Sequence, residues 1–322
     1  MRIGKLLIAV LGLAGSVFAL RRVFRSDETI DWEDAPLTGR LTTVDGVAVH
    51  HTDEGQGPAV VLIHGFGGHT FSFRKNIPAL AEHFRVIAVD LKGFGYTERP
   101  RKSDYSLTAQ ARMVVGLMEA LGIESAAVVG HSMGGEVAMR IAAGFPERVE
   151  KLLLVASVSG DRFPSLPPTP IMRPFMAAFG RLTSRFLLRR AFYDRAHLTE
   201  EVRQGYRAPR RIRGFMDGIY QIFRDWRHDL PIAFEKITQP ALILWARAER
   251  LPNWMLDRLR TRLPQAEVHF VEEAGHLVLE EQPEAANRLM LRFLVPREVP
   301  VEAQETVEAP SDEPAGGLEV AS

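Results

Sequence analysis

A serine between two glycines is the residue of this chain with the clearest potential for chemistry. Residues 130–134 read Gly-His-Ser-Met-Gly, with Ser132 at the centre. An apolar, strand-like run at 126–129 precedes them, and a helix-like run of small residues begins at Gly135. A serine on a sharp strand-to-helix turn exposes its hydroxyl as a nucleophile, and neighbouring glycines let strand and helix approach closely. The free N–H groups of the helix N-terminus then face an oxyanion formed at that serine.

A nucleophilic serine needs a base that takes its proton. His276 lies in a glycine turn directly after the last strand-like run of the chain. Because that turn leaves the same sheet edge as the serine turn, we predict that His276 is the base. The chain has ten histidines, and His276 is the one after Ser132 that combines a preceding strand with a glycine turn.

Two backbone N–H groups are the predicted donors to the oxyanion. One belongs to Met133, which follows the serine, and the other to Phe66, which lies in the glycine-rich loop 64–68 after an earlier strand. His64 opens that loop, and we expect it to support the loop by hydrogen bonds. His131 precedes the serine on the turn, so its side chain is expected to point away from the nucleophile.

Apolar strands alternate with helices through the middle of the chain, which predicts an α/β fold with a mostly parallel sheet and helices on both faces. An Asp-Gly pair at 45–46 between two alternating runs predicts a β-hairpin over 41–50. The predicted buried strands are Val60–Ile63, Arg85–Val89, Ala126–Val129, Lys151–Val155, Ala241–Trp245 and Val268–Val271. The predicted helices are Asn76–His83, Leu107–Leu121, Gly135–Phe145, Trp254–Leu263 and Glu284–Phe293.

The order and spacing of these motifs resemble the α/β-hydrolase fold family, in the branch with a helical lid inserted after the sixth strand. The resemblance runs from about residue 41 to 295. It rests on His-Gly-Phe-Gly-Gly at 64–68, Asp-Leu-Lys-Gly-Phe-Gly-Tyr-Thr at 90–97, Gly-His-Ser-Met-Gly-Gly at 130–135 and Gly-His at 275–276. It implies a Ser132–His276–acid triad, with Asp90 shaping a turn.

The acid is where the sequence departs from the family. The family usually reads Trp-Gly-x-x-Asp after the seventh strand, whereas residues 245–249 read Trp-Ala-Arg-Ala-Glu. Glutamate can orient the histidine in this fold. We therefore predict Glu249 as the acid, with Asp161, Asp257 or no acid at all as alternatives.

The predicted boundaries divide the chain into four parts. Residues 1–26 form an N-terminal membrane anchor or signal segment, because residues 6–20 carry no charge and arginines flank them. The core comprises 38–159 and 237–296, and a helical lid comprises 160–236. The acidic, proline-containing residues 297–322 are predicted to be a disordered tail. The protein is thus expected at a membrane through its N-terminal segment, or in an exported, periplasmic form if that segment is cleaved.

Composition narrows the function. Forty Lys and Arg balance forty Asp and Glu, which gives no sign of a nucleic-acid partner. The absence of cysteine excludes disulfides and thiolate chemistry. The resemblance implies a hydrolase that cleaves small-molecule carboxylic esters through an acyl-serine, with neither cofactor nor metal. The phenylalanines and methionines of the lid, together with the N-terminal segment, favour an apolar acyl chain. A perhydrolase, a C–C bond hydrolase with the same triad, and a membrane-tethered binding protein without activity remain alternatives.

Overall fold

Strands and helices alternate through the residues that the computed structural model describes, 27–160 and 186–295. The strands are β1 (Arg40–Val44), β2 (Val47–Glu54), β3 (Ala59–Ile63), β4 (Arg85–Val89), β5 (Ala126–His131), β6 (Val149–Val155), β7 (Ala241–Ala246) and β8 (Glu267–Val271). The α-helices are α1 (Ile77–Ala81), α2 (Leu107–Ala120), α3 (Met133–Gly144), α4 (Glu200–Arg207), α5 (Phe215–Trp226), α6 (Asn253–Arg262), α7 (Val278–Glu281) and α8 (Pro283–Leu294).

Within the described residues the strands form one eight-stranded sheet in the order β1-β2-β4-β3-β5-β6-β7-β8. Strands β3 to β8 pair in parallel, and β1 and β2 are antiparallel. The β1–β2 hairpin turns at Asp45 and Gly46, with φ of 49° and 76°, as a tight Asp-Gly turn requires. The predicted fold class, a mostly parallel sheet between helices, is confirmed.

The central strands are apolar on both faces because helices cover both. Val61 and Ile63 of β3 pack into the layer that contains α2 and α3, whereas Val60 and Leu62 pack into the layer that contains α1 and α8. This alternation follows from the two-residue period of a strand. The sheet is thereby fixed from both sides, and its carboxyl edge is a rigid platform for the loops that follow each strand.

The turn between β5 and α3 holds Ser132 in a strained conformation, with φ 54° and ψ −117°. Glycines permit the close packing around it. A Cβ atom on Gly130 would lie 2.5 Å from the Cα of Gly135, and one on Gly134 would meet the carbonyl oxygen of Ile63. The predicted helix start was two residues late, because α3 begins at Met133 immediately after the serine.

Asp90, directly after β4, organises the loop beside the serine turn. Its carboxylate accepts hydrogen bonds from the N–H groups of Thr70 and Tyr96, at 2.7 and 2.8 Å, and from Nδ1 of the buried His50 at 2.7 Å. Burial raises the pKa of Asp90, but the hydrogen bond and charge of His50 outweigh burial and hold that pKa well below its usual range. Asp90 therefore shapes the loop, in agreement with the expectation from the sequence.

The segment between β6 and β7 that the sequence predicts as a lid is called the insertion below. Its described part, residues 186–236, is held on both sides. The N-terminal segment 27–34 lies against it. Ile30 forms a parallel β-bridge with Ile212, and Glu28 accepts hydrogen bonds from the N–H groups of Gly214 and Met216 at 3.0 and 2.8 Å. On the core side, Glu136 of α3 contacts the indole nitrogen of Trp226 at 3.3 Å. The N-terminal contacts were not predicted from the sequence, because they join residues far apart in the chain.

Several predicted features lie outside the described residues. These are the anchor or signal segment at 1–26, the first part of the lid, and the acidic tail at 297–322. Within residues 27–160 and 186–295, no helix combines the length and the apolar character needed to cross a bilayer.

The buried Asp90 cluster predicts a large loss of stability in Asp90→Asn. The amide NH2 group of asparagine would face N–H groups that also donate, such as those of Thr70 and Tyr96. Loss of the negative charge also removes the ionic partner of His50. We expect the free energy of unfolding to fall by about 3 kcal/mol or more, measured by urea denaturation. The exposed Glu82→Gln should change it by less than about 0.5 kcal/mol. Equal stability of the Asp90→Asn variant and the wild type would contradict this role.

The strain at Ser132 predicts an unusual order of stabilities. Glycine adopts positive φ without steric cost, whereas alanine retains the strain. Ser132→Gly should therefore be more stable than Ser132→Ala by about 1 kcal/mol, even though glycine normally destabilises a chain. Urea denaturation of the two variants measures the difference, and a less stable glycine variant would contradict the strain.

Candidate active site

Ser132, His276 and Glu249 lie in one hydrogen-bonded line at the carboxyl edge of the sheet. The Oγ atom of Ser132 lies 3.0 Å from Nε2 of His276, and Nδ1 of His276 lies 3.0 Å from Oε2 of Glu249. The three residues follow β5, β8 and β7 respectively. Because Nδ1–H donates a hydrogen bond to the glutamate, Nε2 is left as an acceptor for the serine hydroxyl.

The backbone of His276 is fixed by contacts from two other parts of the molecule. Its N–H donates to the carbonyl of Ala191 in the insertion at 2.9 Å. Its carbonyl oxygen lies 2.8 Å from Nε2 of His131, which donates the hydrogen bond. These contacts hold the imidazole at the distance from Ser132 that proton transfer needs.

Glu249 reaches the histidine from a short turn directly after β7. Its Oε1 accepts hydrogen bonds from the N–H groups of Arg250 and Leu251, at 2.6 and 2.9 Å. Burial raises the pKa of Glu249, but the hydrogen bond to His276 and the two backbone donors outweigh burial, so the pKa lies below its usual value. The side chain folds back onto its own turn, which accommodates the extra methylene relative to aspartate.

The structure describes one of the two alternative acids, Asp257, but not the other, Asp161. Asp257 is exposed on α6, and the structure brings Glu249 rather than Asp257 to the histidine. Asp161 lies outside the described residues.

The two predicted oxyanion donors adjoin the serine. Met133 is the first residue of α3, where the backbone N–H has no acceptor within the helix. Phe66 follows Gly65, at which a Cβ atom would lie 2.9 Å from the Cβ of Ser132. Only glycine allows the loop after β3 to approach the serine this closely, which brings residue 66, the next in that loop, into the neighbourhood of the nucleophile.

His64 supports the loop by two hydrogen bonds. Its Nδ1 donates to the carbonyl of Gly65 at 2.7 Å, and its Nε2 accepts from the N–H of Leu91 at 3.0 Å. Burial lowers the pKa of His64 to about 4, so the ring is neutral at physiological pH. The hydrogen bond to Gly65 agrees with the expected support of the loop after β3, and the hydrogen bond from Leu91 also joins that loop to the one after β4.

His131 has a contact that the sequence did not predict. Its ring packs against the ring of His276, with 4.9 Å between centroids. Burial and the neighbouring His276 lower the pKa of His131 to about 3, so it is a neutral donor to the carbonyl of His276. The sequence shows only that His131 directly precedes Ser132. That position does not indicate that the His131 ring would contact His276.

Aromatic side chains form the described rim of the site. The ring of Phe66 is partly exposed and packs against Phe94, at 5.5 Å between centroids, and against Phe223 of α5, at 5.1 Å. The insertion thus contributes an apolar side chain, Phe223, to the aromatic cluster around Phe66. Among the described residues, no group of three or more histidines and carboxylates is arranged to hold a metal ion.

Comparison with known proteins gives consistent matches. Residues 58–283 match the family model of the alpha/beta hydrolase fold. An uncharacterized hydrolase of Bacillus subtilis (strain 168), YugF, is 33% identical over 79% of this chain and 97% of its own length. A 2-hydroxy-6-oxononadienedioate/2-hydroxy-6-oxononatrienedioate hydrolase of Burkholderia vietnamiensis (strain G4 / LMG 22486) is 34% identical over 84% of this chain and 99% of its own length.

A solved structure of a membrane phospholipase A is also similar. It is 25% identical, with a TM-score of 0.66, and the match covers 91% of this chain and 98% of that chain. Together with the family match over more than half of the sequence, these findings confirm the prediction of a hydrolase at the level of the family. The chain belongs to the α/β-hydrolase fold family.

Proposed function

We propose that the protein is a serine hydrolase that cleaves carboxylic esters with apolar acyl groups. The observation that carries this proposal is the line of hydrogen bonds from Ser132 Oγ through His276 to Glu249, 3.0 Å at each step. A base on the hydroxyl and a carboxylate on the base are the parts that turn a serine into a nucleophile.

The first half of the reaction forms an acyl-serine. His276 Nε2 takes the hydroxyl proton as Ser132 Oγ attacks the ester carbonyl carbon. Glu249 stabilises the imidazolium that results, and the N–H groups of Phe66 and Met133 bind the oxyanion. When the tetrahedral adduct collapses, the bond to the alkoxide breaks and His276 gives that oxygen the proton.

The second half releases the acid. Water enters, and the neutral His276 takes a proton from the water molecule as the water oxygen attacks the acyl carbon. The oxyanion forms again against the same two N–H groups. The bond to Ser132 Oγ then breaks, and the proton returns from His276 to the serine. The chain itself supplies every group that this cycle needs, and the water appears in the acid product.

The proposed substrate class rests on the rim and on one relative. Phe66 and Phe223 present apolar surface beside the serine, which favours an acyl chain. The similarity to the solved membrane phospholipase A supports ester cleavage.

Hydrolysis of a C–C bond is the second candidate. It is favoured by the 34% identity to the Burkholderia hydrolase. That relative's substrates, as named, are dioates, whose charges need cationic partners. The described rim beside Ser132 offers aromatic groups instead, which favours the ester.

We also propose that residues 1–26 attach the enzyme to a membrane. Residues 6–20 carry no charge and have basic neighbours on both sides, and such a segment suits an anchor. Membrane fractions washed at high pH should retain the full chain and lose a variant that begins at Asp27. Equal release of both forms would contradict the anchor.

Substitution of Glu249 tests the triad. Glu249→Gln should lower kcat on a p-nitrophenyl ester by on the order of 10⁴-fold, because the amide cannot hold the imidazole in its tautomer or stabilise the imidazolium. Asp257→Asn is the matched control, and it should keep the wild-type rate. If the two variants show the reverse pattern, the acid has been assigned to the wrong residue.

Substrate class is tested with p-nitrophenyl esters of increasing acyl length alongside 2-hydroxy-6-oxononadienedioate, a substrate in the name of the Burkholderia relative. We expect kcat/KM to rise with acyl length and turnover of the dienedioate to be much slower. A preference for the dienedioate would favour the C–C candidate. A fluorophosphonate should label the wild type and not Ser132→Ala, and a folded wild type that stays unlabelled would support a binding protein without activity.

A further inference from the structure

A second buried carboxylate, Glu281, joins the insertion to the turn that carries His276. It ends the short helix α7 and is 2% exposed. One oxygen, Oε1, accepts hydrogen bonds from the N–H groups of Tyr193 and Asp194 in the insertion, at 2.7 and 2.9 Å. The other oxygen, Oε2, accepts from the N–H of Gly275 at 2.8 Å. A single side chain thus bridges two segments that are far apart in the sequence.

The packing at this bridge is close. A Cβ atom on Gly275 would lie 2.7 Å from the carbonyl oxygen of Ala191 and 2.8 Å from the nitrogen of Tyr193. The next residue, His276, donates its own N–H to the same Ala191 carbonyl at 2.9 Å. His276 is therefore bound directly to Ala191, and Gly275 is joined to residues 193–194 through Glu281, so a shift of that segment would reach the histidine turn.

The chemistry of the bridge favours an ionised carboxylate. All three partners of Glu281 are N–H donors, and a carboxylate offers acceptors to all of them. Burial holds the pKa of Glu281 above its ordinary value, and the three N–H donors limit that rise. An amide in its place would turn one acceptor into a donor that faces another donor, at a buried site where such a mismatch is costly.

We infer that Glu281 is a positioning residue, which fixes His276 against Ser132 by holding residues 193–194 of the insertion to the histidine turn. The inference rests on the proposed function, since it assigns a supporting role within the same site. Glu281 touches neither Ser132 nor the imidazole, so it acts through the backbone of the turn. A displacement of about 1 Å at a catalytic group can cost on the order of 100-fold in rate.

Glu280 provides a matched control on the same helix. It is also 2% exposed and also joins the insertion to the core, because its Oε2 accepts from the hydroxyl of Tyr206 at 2.8 Å while Oε1 pairs with Arg74. Its contacts lie away from the histidine turn. Glu280→Gln therefore disturbs the attachment of the insertion without removing a contact to Gly275 or His276.

The test compares Glu281→Gln and Glu280→Gln in the full chain. Glu281→Gln should lower kcat and the rate of fluorophosphonate labelling by roughly 10- to 100-fold, with KM within about twofold. Glu280→Gln should keep kcat within about threefold. The low-field proton resonance of the His276 Nδ1–H, which reports its bond to Glu249, should shift or vanish in Glu281→Gln alone.

A second pair of variants covers the case in which Glu281→Gln does not fold. Asp194→Pro removes one of the three N–H donors at an exposed residue, whereas Asp194→Ala keeps that donor. We expect a slower kcat in the proline variant only, by roughly threefold or more. Melting temperatures measured beside the rates separate lost stability from lost positioning.

Three results would overturn the inference. The first is a Glu281→Gln variant that labels as fast as the wild type. The second is an equal fall of kcat in Glu281→Gln and Glu280→Gln with an unchanged His276 resonance, which would show a purely structural role. The third is a folded wild type that does not label, which would contradict the proposed function and this inference together.

Discussion

The site depends on one backbone constraint, the positive φ of 54° at Ser132 between β5 and α3. A strained backbone conformation of this kind persists only where several surrounding contacts hold the residue in place. Here β5 is paired on both sides, Gly130 and Gly134 remove the Cβ atoms that would collide, and the N–H of Ser132 donates to the carbonyl of Val155 at 2.9 Å. The hydroxyl is consequently presented above the sheet edge, at the first turn of α3.

The histidine depends on a more distributed set of contacts. His131 holds its carbonyl, Ala191 holds its N–H, and Glu281 holds the residue before it. Two of these three contacts involve the insertion. The serine is therefore fixed by the sheet, whereas the histidine is fixed partly by the segment that also rims the substrate side. Substitutions in the insertion can alter the rate without touching the reacting atoms.

The features that could be predicted from the sequence are those that short-range patterns of residues determine. The strands are continuous apolar runs because helices cover both sheet faces, and the serine, histidine and loop glycines occur in motifs of fixed spacing. The ends of elements were less accurate. Strand β2 continues to Glu54, beyond the predicted hairpin, because residues 51–54 pair with β4. Such a pairing joins distant residues and leaves little trace in local composition.

The same reason explains the functional features that the sequence did not predict. The contact of His131 with His276 and the bridge formed by Glu281 each join residues that the fold brings together from distant parts of the chain. Helix α7 is only four residues long, too short to leave a periodic pattern. For Glu249 the sequence supplied a candidate, and the distance to His276 distinguishes it from Asp257.

The central claim is that Ser132 carries the acyl group during turnover. The most direct measurement is mass spectrometry of the protein quenched with acid within milliseconds of mixing with a p-nitrophenyl ester. We expect the peptide containing Ser132 to gain the mass of one acyl group and the Ser132→Ala variant to gain none. Acylation of a different residue during turnover would contradict the role of Ser132. So would the absence of any acylated peptide under conditions in which deacylation is the slow step.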